Sequence, residues 1–231
     1  SEMCIRDRSK RCQGVGIKMK NRCVVIAAAP NPEISFIRQS IKTDDFVICA
    51  DAGYEAAFKA GIEPDLIVGD FDSAKKPETK LPLITLPVHK DDTDTVFAVK
   101  EGLKRGFHEF LLLGALGGRI DHTFANFSVL EFLHANGARG LISNSRVQIC
   151  FTAGETCTYR GKNGHTLSVF PYGCESCTVT HHGFEYELSH QEILSSFPLG
   201  ISNVVTSDTA RIEFHDGKAL VMLFEEKNTH A

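Results

Sequence analysis

Leu66-Ile67-Val68-Gly69-Asp70-Phe71-Asp72-Ser73 is the stretch on which the fold turns. A short apolar run meets a glycine and then two carboxylates two residues apart. Such a run, bounded by turn residues, reads as a strand buried on both faces, the kind found in parallel sheets. On an extended backbone, side chains i and i+2 leave on the same side. Asp70 and Asp72 are therefore expected to face one point. Two hard oxygen ligands at one point suit Mg²⁺, which usually arrives with phosphates. The same residue types also make ordinary turns, so the neighbouring sequence has to decide.

Outward from this stretch the same unit recurs. Cys23 to Ala29 is a continuous apolar run closed by Pro30 and Pro32, followed by helical spacing up to Ile41. Phe46 to Ala50 runs into Asp51-Ala52-Gly53, then an Ala-rich helix from Tyr54 to Ala60. Leu83 to Val88 runs into Lys90-Asp91-Asp92-Thr93-Asp94 and a helix from Thr95 to Arg105. Phe110 to Ala115 runs into Gly117-Gly118-Arg119 and a helix from Asp121 to Asn136, with Phe124, Phe127, Leu130 and Leu133 on one face. Strands alternating with helices predict a mostly parallel sheet flanked by helices, an α/β domain over residues 19–148. Each polar cluster follows a strand, and ligands of open α/β sheets bind at the carboxyl ends of strands.

Near Val147 the pattern changes. Thr156 to Arg160, Thr166 to Phe170, Cys177 to His181, Glu185 to Ser189, Ala210 to His215 and Ala219 to Phe224 read as short strands between glycines. His215-Asp216-Gly217-Lys218 predicts a hairpin between two alternating runs. Residues 149–231 are expected to form an antiparallel β-sandwich domain. Residues 1–18 show neither period and resemble a translated sequencing-adapter tag, so a non-native or disordered leader is expected there, with Met19 as the natural start.

Net charge is -4 with no basic block, which argues against a general nucleic-acid binder. No apolar run approaches the roughly 20 residues that span a bilayer. Cys23, Cys49 and Cys150 fall inside apolar runs, where a free thiol packs as a small hydrophobe. With no secretory signal evident, a reducing cytoplasm is expected. Cys174-Glu175-Ser176-Cys177 invites a zinc reading, but no second pair closes a tetrahedral site, and Cys177, Val179 and His181 alternate as strand residues do.

The strand-end clusters carry the chemistry. Asp51, Asp70, Asp72, Asp91, Asp92, Asp94 and Asp121 would crowd one sheet edge, and such a surplus repels itself unless cations neutralise it. A divalent metal with Lys90 and Arg119 would do so. Arg119 can grip a phosphate through two parallel bonds. Gly117 and Gly118 leave backbone N–H groups open to an anion at the start of the next helix. Asp91 and Asp92 fit helix capping or solvation equally well, and Asp121 fits an N-cap.

Taken together, these segments resemble one family, thiamine pyrophosphokinase. The likeness is carried by Cys49-Ala50-Asp51-Ala52-Gly53, Pro64 to Ser73, Asp91-Asp92-Thr93-Asp94, and Gly117-Gly118-Arg119-Ile120-Asp121-His122 through Asn126. It continues more weakly through Gly183 to Leu188 and Gly200-Ile201-Ser202-Asn203. The resemblance implies a homodimer with each active site at the subunit interface. It implies transfer of pyrophosphate from ATP to thiamine, giving thiamine diphosphate and AMP. By motif, Asp70, Asp72 and Asp94 would hold Mg²⁺. Asp51, Lys90, Gly117, Gly118, Arg119 and Asp121 would line the nucleotide and phosphate site. Asp121, Ser202 and Asn203 would meet thiamine. Asp70, Asp72, Asp94, Arg119 and Asp121 form the expected catalytic set. Two departures stand out: Ala52 replaces a frequent glycine, and Lys90 stands where some members carry Gln. Another Mg²⁺-dependent nucleotide pyrophosphohydrolase, or a non-catalytic thiamine- or nucleotide-binding module, would share parts of the pattern.

Overall fold

Among the described residues, every strand pairing between Arg22 and Ser143 is parallel, as the continuous apolar runs predict. The computed structural model describes residues 4–5, 22–71, 77–87 and 92–227. Within them the chain divides into two units. One ends at Ser145, and the other starts at Arg146, with residues 4–5 joined to it. Asp72, Lys90 and Asp91, as well as the rest of the expected leader, lie outside the described residues.

β1 (Cys4–Ile5) belongs to the second unit. The first unit runs β2 (Arg22–Ile26), α1 (Ile34–Ser40), β3 (Asp45–Ala50), α2 (Gly53–Lys59), β4 (Leu66–Gly69) and β5 (Leu83–Thr85). It continues through α3 (Asp94–Lys104), β6 (Glu109–Leu113), α4 (Ile120–Ala135) and β7 (Arg139–Ser143). Its strands lie in the order β7-β6-β2-β3-β4-β5. Val24, Val25, Ile26, Ile48, Ile67 and Leu112 are completely buried, because helices cover both faces of the sheet. Arg22 and Asp45 are register partners at the starts of β2 and β3. They are joined by bonds of 2.9 Å and 2.6 Å, a two-pronged pair with the carboxylate out of water.

Two features of this unit differ from expectation. β7 has no strong sequence signal, since Gly140 interrupts it and its first three residues are half-buried. Pairing with β6 makes it a strand. The inner face of α4 is Asn126, Val129, Leu130 and Leu133, at i, i+3, i+4 and i+7, while Phe124 is 59% exposed. Leu130 and Leu133 face inward as expected, but a polar residue holds the first inward position, where apolar periodicity alone offered Phe124.

The second unit is entirely antiparallel. It comprises β8 (Val147–Ala153), β9 (Thr156–Arg160), β10 (His165–Pro171), β11 (Ser176–His182), β12 (Leu188–Leu194), β13 (Asn203–Val204), β14 (Thr209–Asp216) and β15 (Lys218–Lys227). One sheet has the order β1-β9-β14-β11-β12, and the strands β13-β10-β15-β8 lie side by side in the other. Cys157, Val179, Ile193 and Ile212 of the first and Leu167, Val169, Val221 and Leu223 of the second are buried, as in a sandwich.

The expected hairpin at Asp216-Gly217 is corrected. β14 pairs with β9 and β11, whereas β15 pairs with β10 and β8, so the turn carries the chain from one sheet to the other. A tight turn fixes local geometry but not the sheet that the next strand joins. The strand expected at Glu185 to Ser189 lies instead at Leu188–Leu194. Among the described residues it pairs with one strand, β11, and it exposes most of its side chains, so it carries little apolar alternation.

Candidate active site

β2, β3 and β4 step one way across the first sheet, and β6 and β7 step the other way from β2. Where the order reverses, the loops leaving β2 and β6 diverge and leave a crevice at the strands' carboxyl ends. A cavity of about 710 Å³ occupies that place. Ala27 to Pro30 wall it after β2, and Gly114 to Arg119 wall it after β6. Asp51, Asp70 and Asp94 also line it.

These three carboxylates come from three elements. Asp51 follows β3, and its backbone N–H donates to Val68 of β4 at 2.8 Å. Asp70 follows β4. Asp94 opens α3, where the Thr93 hydroxyl accepts from the Val96 N–H at 3.3 Å, and a helix N-terminus favours negative charge. One oxygen from each lies within 4.8 Å of the others, and all three residues are half-buried. Three carboxylates this close repel one another in the ionised state. An all-oxygen donor set of this kind fits a hard divalent cation.

The backbone around the cluster is unusual. Asp51 has φ 48° and Phe71 has φ 54°, left-handed values that cost a bulky side chain energy unless the surroundings hold it. Phe71 packs against the core cluster of Val24, Ile26 and Cys49 and lies over Gly69, whose absent Cβ would sit 3.2 Å from the ring. The ring thus anchors the residue after Asp70 to the core. The left-handed turn at Phe71 also removes the premise of an extended backbone between Asp70 and Asp72. Asp70 meets Asp51 and Asp94, because parallel pairing aligns Ala50 with Val68.

Arg119 and Asp121 form an exposed pair, Nε to Oδ1 at 3.1 Å and Nη2 to Oδ2 at 2.5 Å. Asp121 also accepts from the His122 N–H at 2.9 Å. Hydrogen bonding from Arg119 holds the Asp121 carboxyl below the usual carboxylate range and raises the Arg119 guanidinium in turn. Arg119 lines the cavity with Gly117 and Gly118. Gly117 has φ 86° and open space around it, so its backbone is presented to the cavity without a side chain.

Ser202 and Asn203 belong to the second unit. Ser202 has φ 57°, is exposed, and its N–H donates to Ser168 Oγ at 3.0 Å. Asn203 is 5% exposed. Its Oδ1 accepts from the Tyr186 and Val204 N–H groups, and its Nδ2 donates to the Tyr186 carbonyl at 2.7 Å and to His181 Nδ1 at 3.1 Å. The amide is spent inside the unit, holding the exposed Tyr186 segment. Ala27 to Pro30, Thr93, Thr95, His122, Thr123 and Asn126 all line the cavity, although sequence reasoning gave them no site role, naming Thr93, His122 and Asn126 only as parts of motifs. The rule that sites gather at strand ends applies to the loop after β2 as well, but its small apolar residues carry no chemical signal.

Comparison with known proteins follows the same division. The family model for the thiamin pyrophosphokinase catalytic domain matches residues 37–142, and the model for the thiamin pyrophosphokinase vitamin B1 binding domain matches residues 156–219. Thiamine pyrophosphokinase of Bacillus subtilis strain 168 is 26% identical over 206 residues, covering 86% of this chain and 96% of the relative. Thiamine pyrophosphokinase 1 of Oryza sativa subsp. japonica is 27% identical over 198 residues, covering 71% of this chain and 74% of the relative. The crystal structure of thiamine pyrophosphokinase from Bacillus subtilis superposes with a TM-score of 0.80 at 22% identity, covering 89% of this chain and all (100%) of that one. Thiamin pyrophosphokinase from Candida albicans gives 0.74 at 14% identity, covering 97% and 98%. At these identities the structural likeness speaks for the fold.

Proposed function

We infer that this chain, which belongs to the thiamin pyrophosphokinase family, transfers pyrophosphate from ATP to thiamine and releases AMP. The observation that carries the reading is the meeting of Asp51, Asp70 and Asp94 with the Gly117–Arg119 loop in one crevice at the sheet's switch point.

The thiamine hydroxyl oxygen attacks the β-phosphorus of ATP. The bond from that phosphorus to the α,β-bridging oxygen breaks, AMP leaves, and the hydroxyl proton passes to solvent or a base. Such a transfer depends on positioning and charge neutralisation more than on a strong base. Asp51, Asp70 and Asp94 would hold Mg²⁺, and Asp72, which lies outside the described residues, is proposed with them. When bound, the ion neutralises polyphosphate charge. Gly117 and Gly118 would offer backbone N–H groups to phosphate oxygens at the start of α4. Arg119 would exchange part of its pairing with Asp121 for the same oxygens. Lys90 is assigned to the phosphate side by its place in the family motif.

In the second unit Ser202 and the Tyr186 segment, held by Asn203, are proposed to meet thiamine. A homodimer is proposed as well. Ile120 and Phe124 are 76% and 59% exposed on α4, next to the cavity, and apolar patches of this kind are commonly covered by a partner. A reducing, cytoplasmic location fits the free thiols of Cys23, Cys49, Cys150, Cys157 and Cys177, all buried. No helix among the described residues is long and apolar enough to cross a membrane.

The test is direct. Purified protein with ATP and Mg²⁺ is expected to form thiamine diphosphate and AMP in equal amounts, and only when thiamine is present. AMP release that ignores thiamine would make the chain a nucleotide pyrophosphohydrolase instead.

A further inference from the structure

We propose that Asn126 is the positioning residue that holds the Gly114–Arg119 loop in the shape that grips the nucleotide's phosphates. Asn126 occupies the first inward position of the α4 stripe, where Val129, Leu130 and Leu133 continue the pattern. A polar residue there is costly unless it is hydrogen-bonded. Its Nδ2 donates to the Ala115 carbonyl at 2.8 Å. A carbonyl only accepts, so the amide's orientation follows from this bond. Asn126 is 8% exposed and Ala115 is 5% exposed, yet both border the cavity.

The loop needs such a tie. Gly114 and Gly117 both have positive φ, 64° and 86°, and glycine backbones are intrinsically free to leave such shapes. Gly114 lies so close to the Ala27 carbonyl that no side chain fits there, and Gly118 lies against Pro30. The segment between them carries Ala115, and the Asn126 amide reaches across from the following helix to bind it. One side chain thereby links the helix that begins at the phosphate site to the loop that forms it. An apolar residue at this position would extend the stripe but leave the Ala115 carbonyl without this donor.

This proposal rests on the phosphate-binding role given to the loop, and its test separates the two. The probe is ATP with a methylene group between the α- and β-phosphorus, which blocks the bond that must break, bound in the presence of Mg²⁺. Asn126→Leu keeps the branched shape, with two methyl groups in place of the amide oxygen and nitrogen, and removes the donor. Its dissociation constant for the probe is expected to rise about tenfold or more, the scale of one lost buried hydrogen bond. In turnover, KM for ATP is expected to rise while KM for thiamine stays within about twofold. Unchanged probe affinity in a folded variant overturns the proposal, since a merely structural role would lower the melting temperature alone. Should Asn126→Leu not fold, Asn126→Asp decides by the same readouts, and failure of both to fold assigns Asn126 to stability and overturns the proposal. A wild type that binds the probe but releases no thiamine-dependent AMP sinks the proposed reaction and leaves this test intact. A wild type that binds no probe overturns both.

Discussion

The Asp121 carboxylate holds the Arg119 guanidinium by two hydrogen bonds, at 3.1 Å and 2.5 Å, at the mouth of the acidic crevice. Those bonds keep the Asp121 carboxyl below the usual carboxylate range. A depressed carboxyl keeps its pairing at every pH above that range and loses it only on acidification below it. It is also a weak proton acceptor. Turnover followed from about pH 5 to pH 8 is therefore expected to show the same acid limb in wild type and Asp121→Asn. A limb present in wild type and missing in the variant would identify Asp121 as the base.

Asp70→Asn is expected to act in opposite senses on stability and activity. With chelator present, removing one of three crowded carboxylates relieves repulsion and raises the melting temperature by a few degrees, for about 1 kcal/mol. Adding Mg²⁺ is expected to raise the melting temperature of wild type and to do so less for the variant. Turnover falls by at least about a hundredfold, the scale of losing a transition-state charge partner. An equal Mg²⁺ shift in both proteins would remove Asp70 from the metal site.

Gly114 and Gly117 share a loop and a positive φ but should tolerate alanine differently. A Cβ at Gly114 would sit 2.4 Å from the Ala27 carbonyl oxygen, while one at Gly117 would meet nothing within 4 Å. Gly117→Ala is expected to cost about 1–2 kcal/mol, the strain of a left-handed alanine. Gly114→Ala adds a clash with backbone and is expected to cost about 3 kcal/mol or more. Urea denaturation of both variants checks this order. If the two cost the same, the close approach of the β2 and β6 loops is not as described.

His181 is 1% exposed, and burial pushes its imidazole down to about 4. The folded state thus disfavours the proton that the unfolded chain accepts near pH 6.5. Stability from this group is complete above that value and is lost as pH falls towards the folded one. Between pH 7 and pH 5 the loss is on the order of 2 kcal/mol. His181→Gln, which can still accept from Asn203, is expected to flatten that part of the urea stability profile. An unchanged slope would show that His181 is reached by water.

The alternating α/β half was legible because strands buried on both faces have no polar positions. Val24, Val25 and Ile26 read as one run for that reason. β7 was not legible, because its strand character comes from β6 rather than from Gly140 or Leu141. Asn126 hid the inward face of α4, since a buried amide satisfied by a distant carbonyl looks like a surface residue in sequence. The Asp216-Gly217 turn was visible, but not that it changes sheets.

By itself the sequence determined the fold class and the set of strand-end carboxylates, because hydrophobic period and turn chemistry are local properties. Which carboxylates meet was decided only in three dimensions. Asp51, Asp70 and Asp94 come together because parallel pairing brings the ends of β3 and β4 side by side and α3 starts at the same edge. The crevice exists because the strand order reverses between β2 and β6. Both facts are matters of register and order between segments far apart in the chain, which no local pattern encodes.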